Sequence, residues 1–462
     1  MSKSQTSVLN MTKGDPISLI IRFSIPMLIG NLFQQLYNLA DSVIVGHFVG
    51  ADALAAIGAT NSVTFLFFAI CNGFGSGGGI IASQFFGQGD DRKVKRCIAN
   101  TGYIMLLLPL VVGVSAFFLA RPLLLLLDTP DGALPDAMAY LQIMCLGLVF
   151  VSLYNYASAM LRALGDSKTP LLFLVFSCVL NIILDLLFVC VFHLSVVGAG
   201  IATVIAQFIS AIACLGYAVR RNEYFKLSHE DLKFDRKISA KVMKLGGPLS
   251  FQFSMIAISC MALQKVVNEY GMTAMAAFTA TSRIEQIIHQ PYQTLSAALS
   301  TYTGQNYGAK KMDRVREGYK KSFLIMAAFT LLMLPIMQFF GENIIRIFVS
   351  EEEVIAMGAT ALRITSIFYI MLGTIYVVRG VLNGLGDSLF ALMNGAVEVL
   401  GRFIVPVWLT GIAAIGLWGI WWSVGIVWAI SGLTAWWRYM GFKKKAFPKE
   451  EKTANPWKQV LI

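Results

Sequence analysis

Charged side chains are scarce in this sequence. Only 14% of its 462 residues are Asp, Glu, Lys or Arg, whereas soluble domains carry about 25%. Apolar segments of the roughly 20 residues needed to cross a bilayer recur from end to end. The composition therefore excludes a soluble globule and predicts an all-α polytopic membrane protein, because a helix satisfies its own backbone hydrogen bonds in lipid.

Several chemical motifs are also absent. There is no H-E-x-x-H, no Gly-Lys-Ser/Thr after the glycine-rich stretch, and no C-x-x-C pair among the seven cysteines. The net charge of +11 lies largely in short loops, without the aromatic–basic pattern of a nucleic-acid binder. We therefore expect no enzyme, no cofactor and no nucleic-acid partner. The polar N-terminus lacks a signal-peptide core, so no cleaved leader is expected.

Twelve membrane spans are predicted, in two parallel six-helix bundles. They cover residues 17–45, 53–84, 94–119, 137–161, 170–191, 196–219, 242–266, 274–305, 321–340, 355–379, 389–411 and 415–438. Lys and Arg concentrate after the even-numbered spans, which by the positive-inside rule puts both termini in the cytoplasm. The predicted units are an N-terminal segment (1–16), an N-terminal bundle (17–219), a linker (220–241), a C-terminal bundle (242–438) and a basic tail (439–462).

The two halves of the sequence repeat. Residues 84–87 (Q-F-F-G) match 305–308 (Q-N-Y-G), and L-G-D-S occurs at both 164–167 and 385–388. Both matches have an offset of 221 residues. Each half has an even number of spans, so the halves enter the membrane in the same direction and should enclose a central cavity. By analogy, this is the architecture of an alternating-access transporter.

A polar stripe runs along the first span. Asn31, Gln34, Asn38 and Asp41 are spaced i, i+3, i+7 and i+10, which places them on one helix face. Charge inside a membrane is costly, so Asp41 is interpreted as part of an ion path or substrate site. The alternative is a carboxylate at the water interface or tied to a neighbouring helix.

The fifth and sixth spans supply more oxygen ligands. Asn181 and Asp185 are spaced i, i+4, and Thr203 begins a polar face on the sixth span. Several oxygens suit a hard cation such as Na⁺, by analogy with Ca²⁺ and Mg²⁺. Two carboxylates in low dielectric also favour uptake of a proton by one of them, so H⁺ and Na⁺ both remain open. For Asp185 the alternative is an acid paired with backbone or a hydroxyl.

The repeat supplies an internal control for the acidic pair. The positions equivalent to Asp41, Asn181 and Asp185 in the second half hold Ala262, Arg402 and Pro406. The fold therefore does not require the carboxylates, which favours a functional role.

The chain resembles the multidrug and toxic compound extrusion (MATE) transporters over roughly residues 14–440, and most closely their DinF-like branch. The resemblance is carried by the two L-G-D-S turns and by the opening I-R-F-S-I-P-M-L-I-G-N-L-F-Q-Q-L-Y-N-L-A-D-S, residues 21–42. It implies an inner-membrane antiporter that expels amphipathic, often cationic compounds in exchange for H⁺ or Na⁺. The implied coupling residues are Asp41, Tyr140, Asn181, Asp185 and Thr203. No acidic residue follows Pro248 early in the seventh span, which departs from the other bacterial branch.

Further polar residues are candidates for a substrate cavity: Gln34, Tyr37, Asn38, Asn155, Glu285 and His289. Glu285 and His289 are spaced i, i+4, as are Glu398 and Arg402, and such pairs can also neutralise each other within one helix. For Glu398 and Arg402 we prefer that structural interpretation. The alternative function is a lipid-linked or metabolite flippase, which predicts a strongly basic cavity. We expect a monomer in the bilayer.

Overall fold

The computed structural model describes residues 8–127, 129–130 and 132–446, and within them it is helical and contains no β-strand. Residues 1–7 of the predicted N-terminal segment and 447–462 of the predicted tail lie outside that range. The helices are α1 (Pro16–Phe48), α2 (Ala51–Gln88), α3 (Asp91–Phe118), α4 (Ala120–Leu126), α5 (Leu134–Ala163), α6 (Lys168–Asp185), α7 (Ser195–Arg221), α8 (Arg236–Asn268), α9 (Gly271–Gly308), α10 (Met312–Ile345), α11 (Glu352–Ser366), α12 (Tyr369–Leu385), α13 (Ser388–Thr410) and α14 (Gly419–Ala446).

Every predicted span corresponds to a long helix, with α11 and α12 together forming the tenth. Nine described helices are long and apolar enough to cross a membrane, and the α11/α12 pair, bent by 52°, adds a tenth. The two that fall short of this apolarity are α8 and α9, of 33 and 38 residues, which carry more polar side chains. The all-α polytopic prediction is confirmed. The bend in the tenth span and the short helix α4 were not predicted.

Each L-G-D-S motif ends one helix and begins the next. Gly165 and Gly386 have φ of +86° and +83°, a left-handed conformation that glycine adopts without a Cβ penalty. The following Asp166 and Asp387 accept hydrogen bonds from the backbone N–H groups of Thr169 and Phe390, which caps the next helix. The repeated motif is therefore a helix-stop and helix-start signal.

Two large hydrophobic cores define the two lobes, and α1 and α8 cross between them. Phe23, near the start of α1, lies in the core of the second lobe, whereas Val45 near its end packs in the first lobe. In α8 the order is reversed, because Val242 belongs to the first lobe's core and Val267 to the second's. Each lobe is therefore completed by the first half of a helix from the other repeat.

Glycines allow the helices at this crossing to approach closely. A Cβ on Gly73 of α2 would lie 2.1 Å from Ser250 Oγ, and one on Gly77 would lie 2.7 Å from Gly246 of α8. Small residues in membrane helices permit such backbone contact. The glycine-rich stretch of α2 therefore packs against α8 and holds the lobes together.

Candidate functional site: a buried carboxyl pair in the first lobe

Two carboxyl groups meet where α1, α6 and α7 pack together. The carboxyl groups of Asp41 and Asp185 lie close enough to each other to interact directly. Asp185 is fully buried and Asp41 half-buried. A carboxyl–carboxyl hydrogen bond needs a proton on one partner, because two carboxylates accept and do not donate. Close approach of the two groups is therefore favoured when one of them is protonated or when a small cation is bound between them.

Asn181 and Thr203 complete the oxygen cluster. In the amide orientation that satisfies both ends, Asn181 Nδ2 donates to Asp185 Oδ2 at 2.9 Å, and Asn181 Oδ1 accepts from the Thr203 N–H and hydroxyl at 3.3 Å. Both residues are buried. The i, i+4 spacing on α6 places the amide one turn from the carboxyl, and α7 supplies the hydroxyl from the facing side. These contacts link α6 to α7 beside the carboxyl pair.

Two tyrosines lie against the carboxyl pair. The Tyr37 side chain hydrogen-bonds to that of Thr203, and it is close enough to Asp41 and Asp185 to interact with both electrostatically. Tyr140 of α5 is buried and also lies near both carboxyl groups. The structure therefore brings together all five residues predicted for ion coupling, and it adds Tyr37, which was predicted for the substrate cavity.

Among the described residues, the carboxyl pair has no basic neighbour. No Lys, Arg or His among the described residues interacts electrostatically with Asp41 or Asp185. One oxygen of each carboxyl group, Oδ1 in both cases, is buried and makes no hydrogen bond within the described part of the chain. A small cation could be held by these oxygens together with the Asn181 and Thr203 oxygens, since Na⁺ prefers several oxygen ligands. Protonation of one carboxyl group also removes the repulsion within the pair, without a bound metal ion.

A π-helix begins directly after Asp185. Residues Leu186–Val191 continue α6 with the wider π-helical turn, closed by a hydrogen bond of 2.9 Å from Phe192 N to Leu187 O. Single π-turns inside helices occur often at functional sites, because they rotate the side chains around them. The sequence alone gave no signal for this feature, since L-L-F-V-C-V is compatible with an ordinary apolar helix.

A small pocket adjoins the site. Its walls come from α1, α6 and α7 and include Gln34, Tyr37, Ser177, Asn181, Thr203 and Gln207. Gln34 and Tyr37 therefore lie beside the ion-coupling candidates. The polar residues of α1 do not all face this site. Asn31 faces the other lobe and donates to Thr294 Oγ1 of α9 at 3.3 Å.

The remaining cavity candidates lie elsewhere. Asn38 is exposed, and the Asn155 amide donates to Val151 O of its own helix at 2.9 Å. Glu285 lies in the second lobe near Thr365 and Arg402. The ring of His289 packs edge-on against Trp428, with 5.5 Å between the ring centroids.

Glu398 makes a contact that its helical spacing did not predict. Glu398 Oε1 accepts from Arg379 of α12 at 2.7 Å. Arg379 also donates to Asn394 Oδ1 at 2.5 Å, and Gln252 of α8 donates to the same oxygen at 2.9 Å. The buried pair thus links α12 to α13. An arginine within the apolar run of α12 was the signal that the spacing argument missed.

The helix arrangement defines a class of protein: an all-α polytopic membrane protein of two lobes. The fold matches a MOP superfamily transporter from Pyrococcus furiosus with a TM-score of 0.88 at 22% identity, over 96% of this chain and 99% of that one. An outward-facing MATE family transporter of the MOP superfamily also has a TM-score of 0.88 at 22% identity, over 97% of this chain and 100% of that one.

Sequence comparison gives the family. The MatE family model matches residues 26–187 and 248–408, one block in each lobe, and the chain belongs to this family of transporters, which are not enzymes. A probable multidrug resistance protein of Bacillus subtilis, YpnP, is 32% identical over 386 residues, covering 83% of this chain and 86% of that one. The multidrug export protein MepA of Staphylococcus saprophyticus is 25% identical over 420 residues, or 90% and 92% of the two chains.

Proposed function

We propose that this protein is a secondary-active exporter of amphipathic, often cationic compounds, driven by H⁺ or Na⁺ exchange at Asp41 and Asp185. The observation that carries the proposal is the buried carboxyl pair without a basic neighbour among the described residues. Such a pair is stable in a membrane only when it holds a cation or a proton, because two adjacent carboxylates in low dielectric repel each other.

The proposed coupling acts through the helices that the pair joins. Asp41 belongs to α1, which begins in one lobe and ends in the other, and Asp185 lies at the end of α6. When the bound proton or Na⁺ leaves, repulsion between the carboxylates favours a different packing of α1 against α6. A ligand shifts such an equilibrium only through its differential affinity for the two states. Ion and exported compound must therefore prefer different states for exchange to occur.

The side chains beside the carboxyl pair support this substrate class. Amide, phenol and thiol groups of Gln34, Tyr37, Asn181 and Cys178 line it, and the carboxyl groups lie just beyond. An aromatic ring near a carboxyl group suits an organic cation with an apolar body. The names of the relatives in Bacillus and Staphylococcus, a probable multidrug resistance protein and multidrug export proteins, support this class.

The proposed setting is the bacterial inner membrane, with both termini in the cytoplasm and the protein acting as a monomer. The excess of Lys and Arg in the loops after the even-numbered spans supports this orientation. The flippase alternative predicts a strongly basic cavity. Arg379 does not supply one, because its guanidinium is buried and paired with Glu398, so we favour the antiporter.

The test is transport in proteoliposomes under an imposed pH gradient and, separately, an imposed Na⁺ gradient. Asp41→Asn keeps the shape of the side chain but cannot bind or release a proton, so we expect gradient-driven export of a cationic dye to fall to background. Asp136→Asn, which removes an exposed carboxylate at the start of α5, is the matched control and should transport normally. Full coupling in Asp41→Asn would remove this residue from the mechanism. The gradient that drives the wild-type protein identifies the ion.

A further inference from the structure

The two repeated motifs meet each other across the lobes. Gln84 Nε2 of α2 donates to Gly384 O of α12 at 2.9 Å, and Gln305 Nε2 of α9 donates to Ala163 O of α5 at 3.0 Å. Each acceptor is the carbonyl directly before an L-G-D-S motif of the opposite lobe. Donors and acceptors are both related by the repeat offset of 221 residues. The two hydrogen bonds are therefore one interaction made twice, about the pseudo-twofold axis.

The glycines of the same motifs permit the helix crossing. A Cβ on Gly87 would lie 1.9 Å from Gln305 O, and a Cβ on Gly308 would lie 1.9 Å from Gln84 O. Backbone thus touches backbone where α2 and α9 cross, and no larger residue fits on either side. The Q-x-x-G motif supplies both requirements of this crossing: a glycine for close approach and a glutamine that bonds to the other lobe.

We propose that Gln84, Gly87, Gln305 and Gly308, with the carbonyls of Ala163 and Gly384, form the cytoplasmic gate of the transporter. The inference rests on the proposed function, because a gate has meaning only if the lobes alternately separate. All six positions lie at the ends of helices on the face that carries the N-terminus. Separating the lobes on that face must break both glutamine bonds and the glycine contacts together. The two glutamines are positioning residues that set the closed-to-open ratio.

The gate is not symmetric, because the N-terminal strap (residues 9–14) reinforces one side. Gln305 Oε1 also accepts from Met11 N at 2.8 Å, and Asn306 Nδ2 donates to Met11 O at 3.1 Å. Arg314 donates to Gly14 O at 2.9 Å. The segment equivalent to the strap in the second half is part of the linker, which bonds to α3 through Asn100 instead. Gln305 therefore bonds both to the opposite lobe and to the strap, whose Met11 packs in the core of the second lobe.

The experiment measures opening of the gate directly, by thiol labelling, and does not depend on transport. Ser83→Cys is the reporter: Ser83 is buried, and its Oγ lies 2.0 Å from where a Cβ on Gly304 of α9 would be, so a thiol here is covered while the gate is closed. Labelling by a water-soluble maleimide is followed in purified protein without ion gradient or drug. Protein without the reporter gives the background from the native cysteines; of the six whose burial the structure describes, five are buried.

We expect Gln84→Ala and Gln305→Ala each to raise the labelling rate about fivefold, because each variant loses one hydrogen bond between the lobes. Gln338→Ala is the matched control, because its amide bonds to Arg363 O and Ser366 within one lobe, and it should leave labelling unchanged. Rates within twofold of the parent in both gate variants, or an equal rise in Gln338→Ala, would overturn the proposal.

Glycine variants keep the test decisive if a glutamine variant fails to fold. Gly87→Ala forces a methyl against Gln305 O and should open the gate, whereas Gly216→Ala enters open space and should not. Unchanged labelling in Gly87→Ala overturns the proposal independently. Full coupling in the Asp41→Asn transport assay, which would refute the proposed function, would leave these labelling rates unaffected, so the two proposals fail separately.

Discussion

Removing one partner of the buried Arg379–Glu398 pair should destabilise the protein far more than removing both. The two side chains are each 7% exposed and 2.7 Å apart. At an effective dielectric constant of about 20, unit charges at this distance attract by about 6 kcal/mol before the cost of desolvation is subtracted. Arg379→Met removes this ion-pair partner of the buried Glu398 carboxylate. Such a change lowers the free energy of unfolding by about 3–5 kcal/mol.

The double variant isolates the pair interaction. Arg379→Met with Glu398→Leu replaces the ion pair by apolar groups of similar size, which is often neutral or stabilising. We expect a coupling energy of at least about 2 kcal/mol, measured by denaturant titration in mixed micelles. Transport should also recover in the double variant if the pair is purely structural. Additive losses, or a stable double variant without transport, would refute this reasoning.

Three further predictions concern packing, the strap and the linker. Gly73→Ala should lower the free energy of unfolding by about 1–3 kcal/mol through overpacking, whereas Gly216→Ala should not lower it, as a melting comparison will test. Arg314→Ala should expose the N-terminal strap to limited proteolysis, because three hydrogen bonds that this side chain makes are lost. Bonds from the Ser228 hydroxyl and N–H lower the pKa of Asp231 in the linker. The linker turn should therefore be stable above the ordinary aspartate pKa and loosen only as pH falls through the lowered value, as hydrogen exchange at pH 7 and pH 3 will measure.

The periodicity of the sequence predicted the helices well, because the bilayer imposes a simple rule. A span must be apolar over about 20 residues, and loops must carry the charge. The positions at which helices begin and end were harder to predict from the sequence. For example, α8 begins at Arg236, inside the charged segment predicted as linker, because its first turns are capped by Asp235 and pack in the first lobe. Tertiary packing of this kind leaves no local sequence pattern.

The polar site was predictable for a related reason. Asp41 and Asp185 stand out because carboxylates are rare in apolar segments, and residue spacing places Asn181 on the same face as Asp185. Spacing along one helix does not report which residues face each other across helices. For that reason, the contacts of Glu398 with Arg379 and of Tyr37 with Thr203 were not predicted from the sequence.

The exchange of half-helices between the lobes has a consequence for biogenesis. Ile238, Val242, Leu245 and Leu249, all in α8, belong to the first lobe's core. A nascent chain that has inserted only its first six spans still lacks those side chains. Its first bundle therefore remains incompletely packed in the membrane until α8 is inserted. Two polypeptides severed within the linker should consequently recover a native fold only when produced together, each donating the helix segment that the other is missing.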